Sequence, residues 1–95
     1  MNVKSLHKQS KPVSMINIYQ GTKGMVNAMQ ILKGQQMKKH KATNGALLVC
    51  LDGEAMYECE NGAKIVMSNA DYVEIPPDRI HWVSAHVDTQ LLLIQ

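Results

Sequence analysis

Tyr72-Val73-Glu74-Ile75-Pro76-Pro77-Asp78-Arg79-Ile80-His81-Trp82-Val83-Ser84-Ala85 reads as strand, tight turn, strand. Val73 and Ile75 alternate with Tyr72 and Glu74, as on a strand with one buried face. Two prolines then stop the ladder, because neither has an N–H to donate. Asp78 and Arg79 carry the chain round, and His81 opens a second short run with Trp82 and Val83. An imidazole set at the first residue after a stiff turn keeps little conformational freedom. It informs about function only if a second polar group faces it.

A partner precedes it in Gly34-Gln35-Gln36-Met37-Lys38-Lys39-His40, followed by the apolar run Ala46 to Leu51 and then Asp52-Gly53. Here the chain resembles the cupin superfamily, in a small single-domain form with degenerate metal-ligand motifs. The family's first motif is Gly, five residues, His, one residue, His, three or four residues, Glu, six residues, Gly. Gly34, His40 and Gly53 fall on their places, while Ala42 and Ala46 stand for the second histidine and the glutamate. In the second motif, Pro76 and His81 match, and Ala70, Asp78 and Ala85 stand for two glycines and an asparagine. Asp tolerates the left-handed backbone better than most residues, so Asp78 is a mild departure. The resemblance covers roughly Gly24 to Gln95. It implies an all-β fold, a jelly-roll β-barrel (double-stranded β-helix) of antiparallel strands. It also implies that homodimers are common, and that of four family metal ligands, His40 and His81 remain.

The chain has 95 residues, enough for one domain and near the lower end of what buries a core unaided. It is 45% hydrophobic and 19% charged, which is globular composition. A net charge of +2, with no interleaving of basic and aromatic residues, argues against a nucleic-acid partner. No stretch is long enough to span a membrane, and Met1 to Lys11 lacks the apolar run of a secretory signal. The expectation is a soluble cytoplasmic protein with Cys50 and Cys59 reduced. Phe is absent and there are seven Met, which read first as adaptable core filler. A softer pocket lined by some of Met25, Met29, Met37, Met56 and Met67 is the sharper reading.

Residues 1–20 read as an N-terminal arm or edge strand and 21–95 as a single barrel domain. Strand signals fall at Ser14–Tyr19, Met25–Leu32, Ala46–Leu51, Glu54–Glu60, Ala63–Met67, Tyr72–Ile75, His81–Ala85 and Thr89–Ile94. Gly21 and Gly24, Thr43-Asn44-Gly45, Asp52-Gly53, Asn61-Gly62 and Ser68 to Asp71 mark the turns. Turns recurring about every ten residues, with no capped helical period, indicate an antiparallel sandwich or barrel.

His40 and His81 are the candidate site residues, for a ligand and, with an incomplete ligand set, for a metal. Opposed residues on paired strands have Cβ atoms about 5 Å apart, so two imidazoles in one mouth share a ligand. The bland alternative puts His40 on a solvated basic loop and His81 at a strand end against Trp82 or a carbonyl. A metal, if present, would be divalent Fe, Zn, Mn or Ni, but protein sites for such ions use three or four side chains. Ala42 and Ala46 coordinate nothing, and alternation works against Glu54, Asp52 and His86 as replacements. Lys38, Lys39, Lys41 and Arg79 flank the two histidines, either as a solvated rim or as a positive mouth for a small anion. Arg79 is the contact residue expected there, since a guanidinium grips a carboxylate with two bonds.

The sequence therefore points to a small-molecule-binding barrel without a strong metal site. The alternatives are a metal-dependent enzyme of the dioxygenase, isomerase or decarboxylase classes, and a structural dimer module. Whether the chain is an enzyme is not decided by the sequence.

Overall fold

Turn chemistry spaces the strands. In the computed structural model, which describes residues 1–8 and 10–95, one 3-10 turn at Lys4–Leu6 precedes eight strands. These are β1 (Val13–Gln20), β2 (Met25–Ile31), β3 (Ala46–Asp52), β4 (Ala55–Cys59), β5 (Lys64–Met67), β6 (Tyr72–Ile75), β7 (His81–Ala85) and β8 (Thr89–Ile94). Gly21 N–H donates to the Gly24 carbonyl at 2.7 Å and closes the first hairpin. Gly62, at φ 92°, turns β4 into β5, as an Asn-Gly pair permits. Gly53, at φ 116°, follows a register shift between Cys50 and Asp52, and a Cβ there would meet the Asp88 carbonyl at 2.8 Å.

The strands form two antiparallel sheets, in the orders β1-β2-β8-β3-β6 and β5-β4-β7. Their inner faces share one core. Met29, Ile31, Leu48, Cys50, Leu91 and Leu93 of the larger sheet meet Tyr57, Cys59, Met67 and Val83 of the smaller. This is the expected all-β jelly-roll barrel. Three methionines (Met29, Met37 and Met67) are buried in that core, the filler role read from the absence of Phe. Cys50 and Cys59 are both free and buried. No helix among the described residues is long and apolar enough to cross a membrane.

β1 is an edge strand, paired to β2 from Val13↔Ile31 to Gln20↔Met25. Ahead of it the chain folds back on the sheet, where His7 is buried with Nδ1 2.6 Å from Ser14 Oγ. Gln9, inside the arm predicted over 1–20, lies outside the described residues.

The only described non-Gly residues at positive φ are Ala70 (73°) and Asp78 (57°). Both stand where the second motif has glycine. The backbone keeps the left-handed bends although the glycines are gone.

Candidate functional site at the barrel mouth

Pro76 and Pro77 end β6, and the Asp78 N–H then donates to the Ala42 carbonyl at 2.9 Å. That bond ties the turn to the segment carrying His40 and delivers His81 to the start of β7. His40 and His81 form an isolated antiparallel bridge, with backbone hydrogen bonds of 3.1 and 2.9 Å in the two directions. Residues so opposed send their side chains to one face. Their ring centroids are 4.4 Å apart and the planes tilt by 58°.

The two rings differ in setting. His81 is 1% exposed, whereas His40 is exposed and covers it from outside. His81 Nδ1 lies 3.3 Å from the Arg79 carbonyl, so a proton on Nδ1 makes it the donor and leaves Nε2 as the acceptor. Burial lowers the His81 pKa below its ordinary 6.5; the His40 charge acts the same way and the Arg79 carbonyl opposes both. His81 is therefore neutral at pH 7.

Sequence reasoning missed two residues of this mouth. Cys59 on β4 is the register partner of His81, and Tyr57 lies two residues before it on the same face. The Tyr57 ring centroid is 6.0 Å from that of His81. Tyr57 is 2% exposed and its hydroxyl is buried without a hydrogen-bond partner among the described residues. Burial, with the neighbouring Cys59 thiol, pushes its pKa up to about 12, so the phenol keeps its proton. Ile65, opposite Tyr57 in register, is still 42% exposed and forms an apolar rim. The signal was the period of two in Ala55, Tyr57 and Cys59, all buried, against Met56 and Glu58.

Arg79 is exposed, and its carbonyl, not its guanidinium, is what touches His81. Lys39 is turned away from the mouth, with Nζ 4.6 Å from the centre of the Trp82 ring. The Trp82 indole N–H in turn donates to Glu58 at 2.8 Å. His86 is exposed and bonded to Glu54 at 2.8 Å, so neither supplies a further donor at the mouth.

The donor set does not fit a resident divalent ion. Ala42 is buried and Ala46 half-buried where the family has ligands, and two imidazoles remain. Among the described residues no group of three or more His, Cys, Asp or Glu is placed to hold a metal ion.

Comparison with solved structures places the fold. A cupin superfamily protein from Desulfitobacterium hafniense superposes with a TM-score of 0.86 at 17% identity, covering 98% of this chain and 84% of that one. An RmlC-like cupin from Desulfovibrio desulfuricans gives 0.79 at 20% identity, covering 90% and 83%. A cupin 2 conserved barrel domain protein from Leptotrichia buccalis gives 0.84 at 23% identity, covering 98% of this chain and 45% of that one. No protein-family model and no curated protein matches the sequence.

Proposed function

We propose that this cupin-fold barrel binds a small organic acid at its mouth, with His81 and Tyr57 at the floor and His40 and Arg79 at the rim. The observation that carries this reading is the Tyr57 hydroxyl, buried with no partner among the described residues on a ring whose centre is 6.0 Å from that of His81. A buried, unsatisfied polar group costs about 1–3 kcal/mol. A ligand oxygen arriving next to His81 removes that cost, so the gain belongs to the bound state alone. His81 then takes up a proton, because a carboxylate favours the imidazolium and reverses the effect of burial. Lys38, Lys41 and Arg79 add a positive field at the rim, which raises the local concentration of anions. Sensing or carrying the acid is the role that follows; nothing in the donor set favours metal-dependent turnover.

The test is a titration with acetate, pyruvate and benzoate, and with the neutral amides of the same shapes, followed by the imidazole proton signals. Carboxylates should shift the His81 signals saturably and raise its pKa, while the amides should not. Tyr57→Phe should weaken binding about tenfold, the loss of one hydrogen bond in a dry site. His81→Gln should weaken it further. No saturable change at about 10 mM of any acid, a millimolar Kd being the weakest useful affinity, would end the reading, as would full affinity in Tyr57→Phe.

A further inference from the structure

Four strands carry one polar row across the outside of the five-stranded sheet. Ser14 on β1 stands opposite Gln30 on β2, Gln30 opposite Gln90 on β8, and Gln90 opposite Asp52 on β3. Their neighbours Met29, Ile31 and Leu91 point into the core, so alternation turns this row outward. An outward polar row normally meets water. Three of this row's four members are covered: Ser14, Gln30 and Gln90 are 4%, 5% and 4% exposed, while Asp52 at the end of the row stays exposed. The N-terminal segment supplies the cover through His7, seated on Ser14.

The row is only partly satisfied. Gln90 Nε2 donates to Gln30 Oε1 at 2.6 Å, which leaves Gln30 Nε2 and Gln90 Oε1 buried with no partner among the described residues. Exchanging the nitrogen and oxygen of both amides changes nothing, since any bonded pair keeps one free donor and one free acceptor. Beside the pair lies a cavity of about 260 Å³ lined by Lys4, Gln30, Leu32, Asp52, Asp88 and Gln90. A water takes up about 30 Å³, so the space holds more than a bridging solvent molecule. It is also below the roughly 300–1,000 Å³ of pockets for drug-sized ligands. Both glutamines that carry the free donor and acceptor line this cavity.

The lining groups define what fits. Asp52, the Asp88 oxygen not engaged by the Lys33 N–H, and Gln90 Oε1 accept; Lys4 and Gln30 Nε2 donate. The complement is one small molecule with a cationic donor and an anionic acceptor close together. We infer that this cavity is a second ligand site, for a free α-amino acid. Its ammonium group lies against Asp52, Asp88 and Gln90, its carboxylate against Lys4 and Gln30, and its side chain against Leu32. The site is on the opposite face of the sheet from the barrel mouth and stands whether or not the mouth binds an acid.

The experiment is a titration of ¹⁵N-labelled protein with glycine and L-alanine, read at the side-chain amides of Gln30 and Gln90 and at the His81 ring. Sodium acetate and methylammonium chloride at matched ionic strength are the single-charge controls. Both amino acids should shift both glutamine amides saturably, the controls should not, and His81 should stay still. Asp52→Asn and Lys4→Met change exposed residues outside the core, and each should weaken binding about tenfold. Absence of a saturable shift below about 50 mM, a limit weaker than a millimolar Kd, would overturn the inference. Equal shifts from the controls, or unchanged affinity in both variants, would overturn it too and leave the cavity to ordered water.

Discussion

The barrel mouth and the outer polar row both bury polar side chains on antiparallel strands, and they leave them unsatisfied for different reasons. At the mouth, the Tyr57 hydroxyl faces a core whose other members are apolar side chains and the thiols of Cys50 and Cys59, so among the described residues only the Cys59 thiol stands near it and no oxygen or nitrogen partner meets it. On the outer row the neighbours are polar already, yet the two glutamines satisfy one donor and one acceptor between them and strand the rest. Of the four buried side-chain polar atoms without a partner among the described residues, the mouth holds one and the N-terminal cover with its row holds three. Isolation leaves a polar group unpaired inside the barrel; pairing arithmetic does so outside it.

The largest expected effect is on the pH dependence of stability, because each region contributes a buried histidine. Burial lowers the pKa of both His7 and His81 below 6.5. A histidine lowered in the folded state contributes stability that is complete above its unfolded pKa and lost as pH falls through the folded one. Urea midpoints should therefore fall steadily below about pH 6.5, the unperturbed histidine value. His7→Gln and His81→Gln should each flatten the curve, and the double variant should flatten it most. A flat curve in the wild type would erase the common feature of the two regions.

Next in size, Gln30→Leu with Gln90→Leu should raise the unfolding free energy by about 2 kcal/mol, since two stranded amide atoms disappear together. Tyr57→Phe should raise it by about 1 kcal/mol, the smaller count at the mouth. Chemical denaturation that ranks these two the other way would break the comparison. Outside both regions, Ala70→Gly should add about 0.5–1 kcal/mol, the left-handed strain of alanine less the extra chain entropy of glycine. Its midpoint shift calibrates the others.

Strand positions were legible wherever a turn had its own chemistry. Asn61-Gly62, Asp52-Gly53 and Pro76-Pro77 act over a few residues, so the sequence around them suffices to place β4 to β7. The barrel closure came from the two motifs, not from periodicity; nothing in Thr89 to Ile94 says that β8 inserts between β2 and β3. The His40–His81 pairing was legible for the same reason. Tyr57 was not, because its place depends on the register Cys59↔His81, set by strands far apart in the chain. The outer row was less legible still. Gln30 and Gln90 are 60 residues apart and meet only after the sheet has formed. Asp78 takes a left-handed bend that aspartate tolerates, whereas nothing in an alanine advertises the one at Ala70.

The position of β8 also governs the order in which the molecule comes together. It comes after the other seven described strands in chain order and is the third of five across the larger sheet, hydrogen-bonded to β2 on one side and β3 on the other. Until residues 89–94 exist, β1-β2 and β3-β6 are two separate ribbons with exposed edges. Assembly of the larger sheet therefore waits for its central strand. Such non-local pairing belongs to the slow class of topologies, with folding times of about milliseconds to seconds. A nascent chain spends that interval with both ribbon edges open to foreign strands, which makes β8 the guard against aggregation as well as the keystone of the sheet.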